Sequence, residues 1–288
     1  MTSDSLLFKL LVQYAIRISH PGQWRVLGHL RGLLAADVDE DLEVVRAGLS
    51  WILNPADAAQ ASIFWEGGKD HWDLYHLRRL LSPDSVVYDI GANIGYYSVY
   101  LATVLGPDCE VHAFEPFPDT HDHLCKHIAL NDLEDRITAH PVAFSDQPGT
   151  ATMYFREGNT GSANLNRSGN VGGVEAALRT LDDFWADQSR PAIDFIKIDV
   201  EGHEARLLKG GAEVLRRTQP LILIELDEPR LIEGDSSVED VVDVLNDLGY
   251  ALYRAERNRL LPIIEPPREL TNAFAFPRSD DRPRGATA

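Results

Sequence analysis

"VVYDIGANIGYYSVYLA", residues 86–102, decides the fold. It runs from an apolar strand through a glycine turn into a helical stretch, with Asp89, Gly91, Asn93 and Gly95 at the join. In an open parallel sheet, a strand that ends in such a turn and opens a helix lines the crevice where ligands bind, beyond the strands' carboxyl ends. Gly91 and Gly95 allow backbone angles and a close approach that a Cβ forbids. The helix N-terminus that follows offers N–H groups to a carboxylate or phosphate. The next apolar run ends in "VHAFEPFP", placing Glu115 at a strand's carboxyl end, 26 residues after Asp89. A carboxylate there accepts hydrogen bonds from both vicinal hydroxyls of a ribose. Turn and glutamate together imply a nucleoside-containing ligand.

The dinucleotide fingerprint G-x-G-x-x-G is incomplete in this turn. Asn93 stands where its middle glycine belongs and Tyr96 where its third belongs. Both changes work against docking a pyrophosphate, and neither obstructs a ligand without phosphates. An NAD-dependent oxidoreductase remains the alternative that the same turn and Glu115 leave open.

From residue 85 onward, short apolar runs alternate with helical stretches. Expected strands lie at 85–90, 110–115, 137–144, 193–200, 220–226, 250–254 and 271–276. Continuous apolar strands alternating with helices imply an α/β fold with a mainly parallel sheet covered on both faces. Ser236 and Glu239 have the spacing of a capping box. Residues 156–173 read as a long loop, functional or disordered, and "LPIIEPPREL" reads as a rigid connector. Residues 1–80 read as a mostly helical extension, with apolar residues at helical spacing in "LLFKLLVQYAIRI" and "WDLYHLRRLL". The expected organisation is therefore a helical extension over 1–80, an α/β domain over 81–277 and a disordered tail over 278–288.

The bulk properties narrow the partners. A net charge of −18 over 288 residues disfavours nucleic acid and anionic membrane surfaces. A neutral or cationic small molecule stays compatible. No apolar run reaches the length of a membrane span. The N-terminal apolar run is broken by Lys9 and Gln13, which reads as an amphipathic helix rather than a secretory signal. With only Cys109 and Cys125, a disulfide framework is not expected and a cytoplasmic location is. The N-terminal helices offer a face for pairing with a second copy.

"DFIKIDVEGHE" is the second informative stretch. Strand alternation puts Phe195, Lys197 and Asp199 on one face. A lysine in a strand buried on both faces needs a partner, so a carboxylate should pair with Lys197. Asp199, Glu201, His203 and Glu204 crowd the turn that follows, and "LILIEL" brings Glu225 to the same edge. An imidazole at His203, or a carboxylate at Asp199 or Glu201, has the chemistry of a general base for a hydroxyl acceptor. Asp199, Glu201 and Glu225 also present the oxygen ligands that a divalent cation such as Mg takes. "HDHLCKH" sets His123 and His127 one helical turn apart, but lacks the glutamate of H-E-x-x-H and reads as a solvated helix face.

"DIGANIGYYS", "FEPFP", "VAFSD", "IKIDVEGHE" and "LKGG" with "PLILIEL" occur in the order and spacing of the FkbM family of S-adenosylmethionine-dependent methyltransferases, which the chain resembles over residues 85 to about 226. The resemblance implies a Rossmann-like class I methyltransferase fold with a seven-stranded, mostly parallel sheet and an antiparallel last strand at "TNAFAF". It implies that Gly91, Ala92, Asn93 and Gly95 face the methionine part of S-adenosyl-L-methionine, with Asp89 and Asp199 near its amino group. Glu115 and Pro116 would hold the ribose, and Ala143, Phe144 and Asp146 would border the adenine. Position 203 departs from the commonest form of the motif. The expected reaction is O-methylation of a small molecule such as a polyketide or sugar, with carboxyl or N-methylation as the variant.

Overall fold

The structure, a computed structural model, describes residues 10–11, 13–14, 40–68, 70–156, 159–164 and 172–280. Two compact units divide the chain: Met1–His71 with Arg156–Ser162, and Trp72–Phe155 with Ala163–Ala288. The expected helix over "LLFKLLVQYAIRI" lies outside the described residues, apart from Leu10, Leu11, Gln13 and Tyr14, and so does the tail beyond Asp280.

In the first unit, strands β1 (Leu42–Arg46) and β2 (Leu49–Leu53) form an antiparallel hairpin. This corrects the expectation of helix over residues 42–53 of the extension. Leu49, Trp51 and Leu53 alternate at a period of two and are all buried. Ala47 and Gly48 take positive φ angles of 52° and 82°, the conformation that closes a tight hairpin. Helix α1 (Gln60–Glu66) follows, with Phe64 and Trp65 buried.

Along the rest of the chain come α2 (His71–Leu80), β3 (Val86–Ile90), α3 (Tyr96–Leu105), β4 (Glu110–Phe114), α4 (Pro118–Leu130) and β5 (Ile137–His140). Then follow β6 (Ala143–Phe144), β7 (Gly149–Arg156), β8 (Asn159–Asn164), β9 (Gly172–Arg179), α5 (Leu181–Asp187) and β10 (Phe195–Ile198). The last third holds α6 (Glu204–Gly210), α7 (Ala212–Thr218), β11 (Leu221–Leu226), α8 (Glu228–Glu233), α9 (Val238–Asp247), β12 (Tyr250–Glu256), β13 (Arg259–Pro262) and β14 (Thr271–Pro277).

The main sheet of the second unit has the order β13-β12-β14-β11-β10-β3-β4-β5. Strands β3, β4, β5, β10 and β11 pair in parallel, and β14 runs antiparallel to both β11 and β12. The sheet therefore has eight strands rather than the expected seven. The extra one, β13, forms a hairpin with β12 and includes the start of the expected connector. The expected strand over 137–144 breaks at Pro141, whose missing N–H cannot join a ladder, and β6 instead pairs with β9 in a second sheet. Ser237 rather than Ser236 caps α9, its Oγ accepting the Asp240 N–H at 3.1 Å.

Register decides what the two faces carry. Tyr88, Ile90, Phe114, Ile196, Ile198, Ile222 and Ile224 form one apolar core with Phe184, Leu207, Leu208 and Val241. Each such side chain contributes roughly 1.5–3 kcal/mol by leaving water. On the opposite face, Asp89 and Lys197 stand side by side in register. From β3 the chain steps to β4 and β5 on one side and to β10 and β11 on the other. The carboxyl ends of β3 and β10 thus form the point of reversal where open α/β sheets bind ligands. Among the described residues, no helix is long and apolar enough to cross a membrane.

Candidate active site

The glycine turn leaves β3 at this reversal. Gly91 and Ala92 both donate their N–H to Phe114 O, at 3.0 and 2.9 Å, which ties the turn to the end of β4. Gly91 has φ 77°, and a Cβ there would stand 1.7 Å from the carbonyl oxygen of Asp199. Asp199 N–H in turn donates to Ile90 O at 3.0 Å. The ends of β3 and β10 are pressed together, and only glycine fits between them. Ala92 is buried, and Gly95 precedes the first residue of α3. From α4, His127 Nδ1 donates to Ile94 O at 2.7 Å. His127 is fully buried, so it anchors the turn and does not belong to a solvated face.

Glu115 joins the two motifs that the sequence shows separately. Its Oε2 accepts the Asn93 N–H and its Oε1 the Phe117 N–H, both at 2.9 Å, around the half-buried Pro116. Burial pushes the Glu115 carboxyl up to about 7, against the two backbone bonds and with help from the charges of Asp199 and Asp89. An ionised carboxylate has room for about four hydrogen bonds, and two are filled. A desolvated anion with half its donors in place fits a ligand that brings two adjacent hydroxyls.

Asp89 faces inward. It is 1% exposed, its Oδ2 accepts from Ser98 Oγ at 2.6 Å, and its Oδ1 lies 3.9 Å from Lys197 Nζ without a hydrogen bond. Lys197 donates to Asp199 Oδ2 at 3.0 Å and stands 5.0 Å over the Tyr97 ring. Burial alone would lower the lysine's pKa, but Asp199 and Asp89 outweigh it and hold the ammonium charged. Lys197 thus has the carboxylate partner its sequence position requires. Of the two aspartates, Asp199 is the one that reaches the crevice surface, with a third of its side chain exposed.

Beyond β10 the chain turns through Glu201 at φ 52°, clamped by Glu204 Oε1, which accepts the Val200 and Gly202 N–H groups at 3.1 and 3.2 Å. Asp199, Glu201 and Glu225 each offer an oxygen within 4.8 Å of the others. Cations already lie on this group: Lys197 on Asp199, and Arg230 Nε on Glu201 at 3.0 Å. Burial pushes Glu201 up to about 8, Asp199 adds to it, and Arg230 opposes it. His203 points elsewhere. Its Nε2 is 3.0 Å from Ser145 Oγ, and burial lowers its pKa to about 4. In the "VAFSD" segment, Ala143 and Phe144 are buried, the Phe144 ring stacks edge-on against Phe114 at 4.9 Å, and Asp146 is exposed.

The structure gathers Asp89, Gly91, Asn93, Glu115, Lys197 and Asp199 at one crevice. It adds three residues the sequence did not single out for a role: Ser98, Arg230 and Ser145. Ser98 had a signal, a hydroxyl in the first turn of the helix that opens at the glycine turn; Arg230 had none, because its pairing with Glu201 depends on where α8 docks. A cavity of about 240 Å³ bounded by Leu252, Tyr253, Ile263 and Arg278 lies at the β12–β13 edge, with three strands between it and β3, and none of these site residues lines it.

The chain is 28% identical over 222 residues to methyltransferase sdnD of Sordaria araneosa, covering 67% of this chain and 82% of that protein. It is 27% identical over 182 residues to the 2-O-methyltransferase NoeI of Sinorhizobium fredii, covering 58% and 73%. It is 26% identical over 178 residues to the hexuronic acid methyltransferase AglP of Haloferax volcanii, covering 61% and 67%. The model of the Methyltransferase FkbM domain matches residues 89–252, more than half of the chain and the whole span from Asp89 to Leu252. The chain belongs to the FkbM methyltransferase family.

Proposed function

We propose that this protein is an S-adenosylmethionine-dependent O-methyltransferase acting on a hydroxyl of a small molecule. The observation that carries the reading is Glu115: a buried carboxylate fastened to both turns, with capacity for two further donors, at the point where a nucleoside's ribose is expected. When bound, the cofactor supplies an electrophilic methyl group on a sulfonium. The backbone of Gly91, Ala92 and Asn93 would hold its amino-acid end, and Asp199 would attract its ammonium. Pro116, Ala143 and Asp146 would border its nucleoside.

Glu201 is the best-placed base for the acceptor hydroxyl. Its pKa of about 8 makes it a stronger proton acceptor than an ordinary carboxylate, while a useful fraction is still ionised near neutrality. Arg230 orients it. Two relatives whose names specify a 2-O position and a hexuronic acid support a small, oxygen-rich acceptor. Asn93 and Tyr96 in place of glycines count against a dinucleotide.

Calorimetry with S-adenosylmethionine and with NAD tests the reading: S-adenosylmethionine should bind and NAD should not. Binding of NAD with no response to S-adenosylmethionine would overturn it. Incubating the protein with isotopically labelled cofactor and cell-extract metabolites, followed by mass spectrometry, then identifies the acceptor.

A further inference from the structure

The turn after β10 splits its side chains between two directions. Asp199 and Glu201 engage Lys197 and Arg230, whereas His203 reaches to the segment that follows β5. There its Nε2 meets Ser145 Oγ at 3.0 Å, and the same hydroxyl donates to Asp146 Oδ1 at 3.1 Å. A serine hydroxyl has one proton. Given to Asp146, it leaves the oxygen to accept from an Nε2–H of His203. Ser145 is 4% exposed, and its backbone is fixed from two sides. Its N–H donates to Arg179 O of β9 at 2.9 Å. Its carbonyl lies so close to α6 that a Cβ on Gly210 would stand 2.0 Å from it. The exposed carboxylate of Asp146 ends this chain of contacts.

We infer that His203 is a positioning residue for the cofactor's adenine edge, holding Ser145 and through it the Asp146 carboxylate, and is not the base for the acceptor. The inference rests on the cofactor reading above and goes beyond it. A carboxylate held at that edge accepts from the 6-amino group of adenine and disfavours a 6-oxo purine. A histidine whose pKa lies near 4 stays neutral across the working range, which suits a fixed hydrogen bond.

Calorimetry with S-adenosylhomocysteine and S-inosylhomocysteine as probes tests this without an acceptor. Wild type should prefer the adenine compound. His203→Ala should bind it about tenfold more weakly while binding the inosine compound nearly as before, so that discrimination collapses. His203→Gln, whose amide reaches as far as Nε2, should restore most of the preference. Unchanged affinities in His203→Ala would return the histidine to the acceptor side and overturn the inference. Equal weakening for both compounds would also overturn it, by showing general loosening. Failure of wild type to bind either compound refutes the cofactor reading itself and removes the basis of this one.

Discussion

Replacing Glu115 with glutamine keeps the side chain's shape and removes its charge. In the folded protein its carboxyl is held at about 7, against 4.5 when free. At 1.36 kcal/mol per pH unit, that rise is worth about 3 kcal/mol. The sign follows from proton binding: the folded state holds the extra proton, so this contribution to stability is intact below pH 4.5 and is lost as pH rises to about 7. Between pH 5 and pH 8 the loss comes to roughly 2.5 kcal/mol. Glu115→Gln cannot titrate and escapes it. The amide brings its own fixed cost, since its NH2 must face a backbone N–H, but that cost is the same at both pH values and cancels. Urea denaturation of both proteins at pH 5 and pH 8 should therefore show the variant gaining on wild type by roughly 2.5 kcal/mol. Its affinity for S-adenosylhomocysteine should meanwhile fall on the order of a hundredfold, because two hydrogen bonds to a charged acceptor are lost. A stability difference independent of pH would refute the desolvated-anion account of Glu115.

Further predictions concern the neighbours of Glu115. Lys197→Met leaves Asp89 buried without its counter-charge and should cost about 3–5 kcal/mol in urea denaturation, with most of the loss recovered in the Lys197→Met/Asp89→Asn double variant. Gly91→Ala forces a Cβ against the Asp199 carbonyl at φ 77°, whereas Gly48→Ala at φ 82° meets open space. The first should lower the thermal midpoint well beyond the second, whose cost is conformational strain of about 1–2 kcal/mol; equal shifts would discount the close approach. With an acceptor in hand, Glu201→Gln should slow methyl transfer on the order of 10²-fold or more and abolish the rise in rate toward pH 8, while leaving S-adenosylhomocysteine affinity intact.

The sheet and its crevice were legible because they are written in local signals. Alternating apolar runs locate β3, β4, β10, β11, β12 and β14 to within a few residues, and the glycine turn with Glu115 marks the point of reversal before any packing is known. The hairpin over Leu42–Leu53 was masked by neighbours with helical spacing; its signal is the alternation of Leu49, Trp51 and Leu53 about Ala47-Gly48. Strand β13 was hidden by the prolines at 262 and 266–267, which read as a connector, although its ladder with β12 needs only residues 259–262. Side-chain direction was the harder matter. His203 sits beside Glu201 in sequence, yet the two turn to opposite sides because Glu201 takes a positive φ and α6 opens directly after it. His127 lies on a polar-looking helix and proves to be buried because Ile94 O offers it an acceptor. Such pairings depend on contacts between elements far apart in the chain, which no spacing rule encodes.

The floor of the crevice is fastened on three sides: Gly91 and Ala92 to the end of β4, Asn93 to Glu115, and Ile94 to α4. A segment so braced has little freedom left to surrender when a guest settles on it, so the entropic toll of capture is small there. Selectivity at this floor then comes from shape and charge already in place, and the pace of exchange is set by how readily a guest sheds water and leaves.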